Sequence, residues 1–256
     1  MVGWMVFPNS VTGAGSVTRR GPDTLHYSVR NNVAPTGSGA QTIKGTYQIQ
    51  YIETGEKVRE TMVLRVAGME SNATVSLTAA VGPDPANVVS VAHLPTDKKG
   101  RLNMTFMTQS PAPARPSKIP PVPEALSPLT DVGAICFEDS AGQVVGNAGV
   151  QDSQQFQLIV RRNLVPADAS GPAAGSINLV ANQNRATLTL LAGGLTPETD
   201  YLLALNGTAV GVATSDARGN LRARGWPTNA PPVLQLRSLA LTDSSGGLIL
   251  STTLPR

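Results

Sequence analysis

Residues Arg185–Leu221 read RATLTLLAGGLTPETDYLLALNGTAVGVATSDARGNL. Apolar and polar residues alternate through most of this stretch, the period of a strand with one face buried. Asn206-Gly207 interrupts the alternation with a dipeptide suited to a tight hairpin turn, and Asp216-Ala217-Arg218-Gly219 interrupts it again. The spacing predicts antiparallel ribbons folded back at each turn. It defines an architecture and carries no chemistry.

Outward from this stretch the chain repeats itself. Leu25–Pro35 (LHYSVRNNVAP) resembles Gln157–Pro166 (QLIVRRNLVP), and Gly45–Ile52 resembles Gly175–Ala181. Thr61–Met69 (TMVLRVAGM) then aligns with Thr187–Leu195 (TLTLLAGGL), and Thr74–Ala79 with Asp200–Leu205. Val91–Leu102 answers Val210–Leu221, and Val132–Val145 answers Leu236–Ile249. Matches in one order along both halves point to an internal duplication. Each half also carries D-x-x-G turns: Asp97–Gly100 and Asp139–Gly142, then Asp216–Gly219 and Asp243–Gly246. Asp at the head of such a turn accepts following N–H groups, and Gly at its end takes the left-handed conformation that closes a hairpin. The Pro-rich segment 111–128 aligns with the shorter Pro227–Pro232, which makes it a long extended loop within the first half and not a linker. The expected plan is an arm at 1–22, a domain at 23–150 containing that loop, and a second domain at 154–256.

At Leu195-Thr196-Pro197-Glu198-Thr199-Asp200-Tyr201 the chain resembles the corner of fibronectin type III and related immunoglobulin-like sandwiches. The resemblance implies a β-sandwich in which the Tyr201 hydroxyl ties back to the backbone ahead of its strand. The first half departs from it, with neither the Pro nor the Tyr in Met69–Val75, and neither half has the core Trp of such modules. The fold expected is therefore all-β: two homologous immunoglobulin-like β-sandwich domains preceded by an extended arm. The whole also resembles repeat domains of bacterial surface and secreted proteins.

Little in the chain suggests catalysis. One cysteine, Cys136 in an apolar run, excludes an intrachain disulfide and a multi-Cys zinc site, and is expected to be a buried, inert thiol. His26 and His93 align with Leu158 and Val212, which predicts packing roles. No nucleophile elbow, phosphate loop or metal-ligand spacing occurs. No cofactor, no metal and no enzyme activity are expected; an unrecognised hydrolase is the weakest alternative. A net charge of +3 gives no global field for nucleic acid, and no apolar run is long enough to span a membrane. The start, MVGWMVFPNS, lacks a basic region and is cut by Pro8, so it does not read as a signal peptide.

The expected function is a non-catalytic structural protein. It would self-associate through strand edges and its N-terminal arm into a surface or extracellular fibre or lattice. Trp4, Met5, Val6 and Phe7 are the candidate assembly contacts, since a free terminus seldom carries such a cluster. The alternative is a binding module, a glycan-binding adhesin or a virion decoration protein, with Arg218, Arg222 and Arg224 as candidate anion or glycan contacts.

Overall fold

The computed structural model describes residues 5–6, 22–36, 43–82, 86–112, 118–149 and 155–254. The protein is all-β. Its strands are β1 (Met5–Val6), β2 (Thr24–Pro35), β3 (Lys44–Thr54), β4 (Lys57–Ala67), β5 (Thr74–Val81) and β6 (Val88–Pro95). They continue as β7 (Arg101–Ser110), β8 (Val132–Glu138), β9 (Val144–Gly149), β10 (Gln155–Pro166), β11 (Ala174–Asn182) and β12 (Arg185–Gly193). The last are β13 (Asp200–Leu205), β14 (Thr208–Thr214), β15 (Leu221–Gly225), β16 (Ser238–Thr242) and β17 (Leu248–Thr253). Among the described residues the only helical pieces are short 3-10 turns at Glu124–Leu126, Leu129–Asp131 and Val233–Gln235.

The chain divides into two compact units. One is His26–Gln157; the other is Leu158–Pro255 with the described part of Met1–Leu25. The divisions fall inside β2 and β10, a few residues beyond the boundaries expected from the sequence. In the first unit β3, β4 and β7 pair in that order, and a second group runs β6–β5–β8–β9–β2. In the other unit β11, β12 and β15 pair in order, beside a group running β14–β13–β16–β17–β10. All these pairings are antiparallel. Register shifts interrupt β5–β6 at Leu77/Thr78 and β8–β9 at Phe137/Glu138. Others interrupt β13–β14 at Leu203/Ala204 and β16–β17 at Leu241/Thr242.

Alternation decides the cores. In β4, Met62, Leu64 and Val66 are buried between the outward-facing Thr61, Val63 and Arg65. In β12, Leu188, Leu190 and Ala192 are buried while Thr187, Thr189 and Leu191 face outward. Tyr27, Tyr47, Ile49, Leu77 and Phe137 fill the first core; Leu179, Leu203, Leu239, Leu241 and Leu250 fill the second. Each such side chain gains about 1.5–3 kcal/mol from burial, enough in sum to outweigh the ordering of the connecting turns.

The connections between strand groups are built on one hydrogen-bonded corner. The Thr96 hydroxyl, 7 % exposed with its residue, donates to the Glu70 carbonyl at 2.6 Å and accepts the Ala73 N–H at 2.9 Å. In the other unit the Ser215 hydroxyl donates to the Thr196 carbonyl at 2.6 Å and accepts the Thr199 N–H at 3.0 Å. The turn that follows is the predicted Asp-led one. Asp97 Oδ1 accepts the N–H groups of Lys99 and Arg101, and Asp216 Oδ1 those of Arg218 and Asn220. Gly100 and Gly219 close these turns at φ of 65° and 73°, and their carbonyls accept the N–H of Met69 and Leu195. Thr196 N–H also donates to the Tyr201 hydroxyl at 3.0 Å, the backbone tie implied by the L-x-P-x-T-x-Y stretch. Val75 holds the same place in the first unit and is simply buried.

Gly219 tests this corner. A Cβ there would run into the Leu195 carbonyl oxygen, whereas one at Gly142 (φ 75°) would meet nothing within 4 Å. Gly142→Ala is expected to cost about 1–2 kcal/mol, the left-handed penalty alone. Gly219→Ala should cost more than about 3 kcal/mol, because backbone must move as well. Urea unfolding of the two variants measures the difference; equal losses would show that the corner yields easily.

Candidate functional site

The outer face of β11, β12 and β15 carries Arg185, Arg222 and Arg224 at outward positions. Cross-strand register places Asn178 opposite Thr189 and Thr189 opposite Arg224, forming one rung of outward residues. Ser176, Leu191 and Arg222 form the next rung. Two adjoining depressions lie here and share Asn178 and Thr189. The first encloses about 290 Å³ and is bordered by Asp23, just ahead of β2, and by Arg161, Arg162 and Asn163 of β10. The second encloses about 270 Å³ and is bordered by Asn182, Arg185, Thr187 and Arg224. Together they follow β11 from Ser176 to Asn182, roughly 20 Å of strand.

Charge in this groove is one-sided. Asp23 is the sole carboxylate among the described residues lining either depression. It is also engaged: its Oδ1 accepts the Asn163 backbone and side-chain N–H groups at 2.9 Å each, and its Oδ2 lies 3.7 Å from Arg162 Nη1. Arg162 is 8 % exposed and belongs to the inward face of β10, while Arg161, Arg185 and Arg224 are exposed. Asn178 Oδ1 is buried and has no hydrogen-bond partner among the described residues. Of the arginines singled out in the sequence, Arg224 lines the groove and Arg222 shares its face. Arg218 is exposed in the Asp216–Gly219 turn and lies apart from the lining. Arg161 and Arg162 of β10 border the first depression and Arg185 the second, a placement that their positions in the sequence do not mark.

The assembly candidates are only partly described: Trp4 and Phe7 lie outside the described residues. Met5 and Val6 form β1, which pairs in parallel with β14, Met5 opposite Gly211 and Val6 opposite Val212. Val210 and Ala213 of β14 are buried. β6 is the edge of its own strand group and lies beside the 3-10 turn Glu124–Leu126.

That turn belongs to the long Pro-rich loop, of which 113–117 lie outside the described residues. Glu60, 2 % exposed, anchors the loop: its carboxylate accepts the Ser127 hydroxyl and the Leu129 N–H, each at 2.8 Å. Nothing local marks Glu60 for this role, and it aligns with Ala186 in the other half. Each carboxylate oxygen accepts one of these bonds, so the side chain bridges β4 to the loop.

The histidines do not pack as expected. His93 is exposed, with Nδ1 hydrogen-bonded to the Ser76 hydroxyl at 3.0 Å; His26 is half-buried, 3.5 Å from Gln50 Nε2. Each occupies the outward phase of its strand, whereas the aligned Leu158 is buried in the core and Val212 is half-buried. Cys136 is likewise half-buried, on the opposite side of β8 from the core residues Ile135 and Phe137. Burial first, and then the Glu138 charge, push its thiol above the ordinary value and keep it protonated at neutral pH. Among the described residues no cluster of three or more His, Cys, Asp or Glu is placed to hold a metal ion. No helix among them is long and apolar enough to cross a membrane. No protein-family model matches the chain, and no curated protein matches it.

Two predictions follow from the acidic groups. Turn N–H and hydroxyl donors hold the carboxyls of Asp97, Asp168, Asp216 and Asp243 below their ordinary range. The largest contributions come from the backbone N–H of Arg101 for Asp97 and of Asn220 for Asp216. For Asp168 and Asp243 they come from the Ser170 and Ser245 hydroxyls. A carboxyl depressed on folding stabilises the native state above its unfolded value and loses that contribution as pH falls through the folded one. The urea midpoint should therefore hold steady down to pH of about 4.5 and decline below about 4, less steeply in a variant with all four Asp→Asn. An unaltered slope would assign the acid sensitivity elsewhere. Separately, Glu60→Ala strands the buried Leu129 N–H and should cost about 2–4 kcal/mol, with faster proteolysis at the Pro-rich loop. Unchanged cleavage would show that the loop is held by other contacts.

Proposed function

We propose that the chain is a non-catalytic structural protein made of two homologous immunoglobulin-like β-sandwich domains, which self-associates through strand edges and its N-terminal segment. What supports the duplication is detail that pairing order alone would not require. The register shift after Leu77 falls where its aligned partner Leu203 has one, and the shift after Phe137 falls where Leu241 has one. The Thr96 and Ser215 corners are bonded alike as well. Two strand groups in each unit, each with a buried alternate face, are what a sandwich requires.

The observation that carries the assembly reading is the parallel pairing of β1 with the edge of β14. This is strand addition to an exposed edge. A strand of two residues is held by few hydrogen bonds, and an identical edge on a second copy offers the same partners. Exchange of such an element between copies has a low cost, and a head-to-tail exchange closes into a ring or continues as a fibre. A surface or extracellular fibre or lattice is the setting this reading favours.

Deleting residues 1–20 should reduce particle size in light scattering, and Val6→Pro, which removes one β1 donor at full chain length, should do the same. Assembly unchanged by both variants, or a monomer throughout, would overturn the reading.

A further inference from the structure

We propose that the groove over β11, β12 and β15 binds an acidic oligosaccharide, a uronate- or sulfate-bearing chain laid along β11. The proposal is independent of self-association, since it uses the strand face and not the edge. Arg161, Arg185 and Arg224 are exposed along a continuous trough whose one carboxylate, Asp23, is already satisfied by Asn163 and Arg162. An anion entering it meets guanidinium donors at both ends, and the one carboxylate in the lining is already hydrogen-bonded to Asn163.

The middle of the trough is polar but uncharged. Asn178 and Thr189 supply amide and hydroxyl groups there, and Asn178 Oδ1 lacks a partner among the described residues. A small turn of that amide presents an acceptor, which a sugar hydroxyl fills and a bare phosphate or sulfate oxygen does not. A native polar atom left unpaired is often explained by a partner that binds there. The lining holds no aromatic ring on which nucleic-acid bases would stack. Charge at both ends, hydroxyl-matching groups between them and an extended length describe an acidic sugar chain better than an oligonucleotide.

The test is titration calorimetry with a heparin-derived octasaccharide, an oligogalacturonate, neutral maltooctaose and a single-stranded oligonucleotide of matched charge. At least one acidic saccharide should bind, and which of the two does so identifies sulfate or carboxylate as the preferred group. Maltooctaose should not bind, and the oligonucleotide should bind at least about tenfold more weakly. Arg161→Gln/Arg185→Gln/Arg224→Gln should weaken the acidic saccharide by about a hundredfold, and Asn178→Asp by about tenfold or more. The exposed pair Arg59→Gln/Arg65→Gln in the other unit should change it less than about twofold. Circular dichroism checks that every variant is folded. Absence of saccharide binding, an oligonucleotide that binds as tightly, or equal losses from the Arg59/Arg65 variant would overturn the proposal.

Discussion

A single buried hydroxyl in each unit governs how the chain passes between its strand groups. β4 leads into β5, and β6 leads into β7, so two of the first unit's four crossings between strand groups meet beside Thr96. Backbone groups at such a crossing have left one ladder without entering the next, and buried ones must be paired. Thr96, and Ser215 in the other unit, serve both directions by donating to one carbonyl and accepting one N–H. The Asp-led turn immediately after them fixes the direction of return. Because its glycine lies against the Met69 or Leu195 carbonyl, the turn and the corner tighten together. The cores can be filled by many apolar residues; this junction tolerates very few.

Strand edges impose the second constraint, and the two units meet it differently. β14 carries β1, whereas β6 lies beside a 3-10 turn of the loop that Glu60 holds in place. The Pro-rich segment of the first half is also much longer than Pro227–Pro232. The additional residues supply a turn beside an edge that in the other unit carries an added strand. An edge attended by its own loop is committed, whereas one paired with two residues of a terminal segment is exchangeable. The sequence asymmetry between the halves thus coincides with the structural one.

The all-β fold was legible because period-two alternation and D-x-x-G turns are local signals, and strands form where both agree. Asp168–Gly171 passed unnoticed although it bonds in the same way, Ser170 N–H to Asp168 Oδ1 and Gly171 N–H to the Asp168 carbonyl. It has no aligned partner in the first half, and its glycine does not take positive φ. The corner hydroxyls were invisible for another reason. A Thr or Ser before Asp is common in any turn-rich chain, and only tertiary contact shows what it bonds. Glu60 was hidden because its partners, Ser127 and Leu129, lie far along the chain.

The groove shows where reading residues in order runs out. Arg218, Arg222 and Arg224 cluster in sequence, yet β15 carries only the latter two on its outer face, and the turn sends Arg218 elsewhere. Arg161, Arg185 and Arg224 are distant in sequence, yet they line two depressions that share Asn178 and Thr189, Arg161 the first and Arg185 and Arg224 the second. Charge therefore gathers across strands, along rungs set by register, and not along the chain. On a sheet, a site for an extended anion is written in the pairing of strands: a one-residue slip of β15 would turn Arg224 into the core and leave Ala223 facing solvent. The inward-facing Leu221 and Ala223, fixed in the core opposite Ala192 and Leu190, are thus what hold the arginines outward.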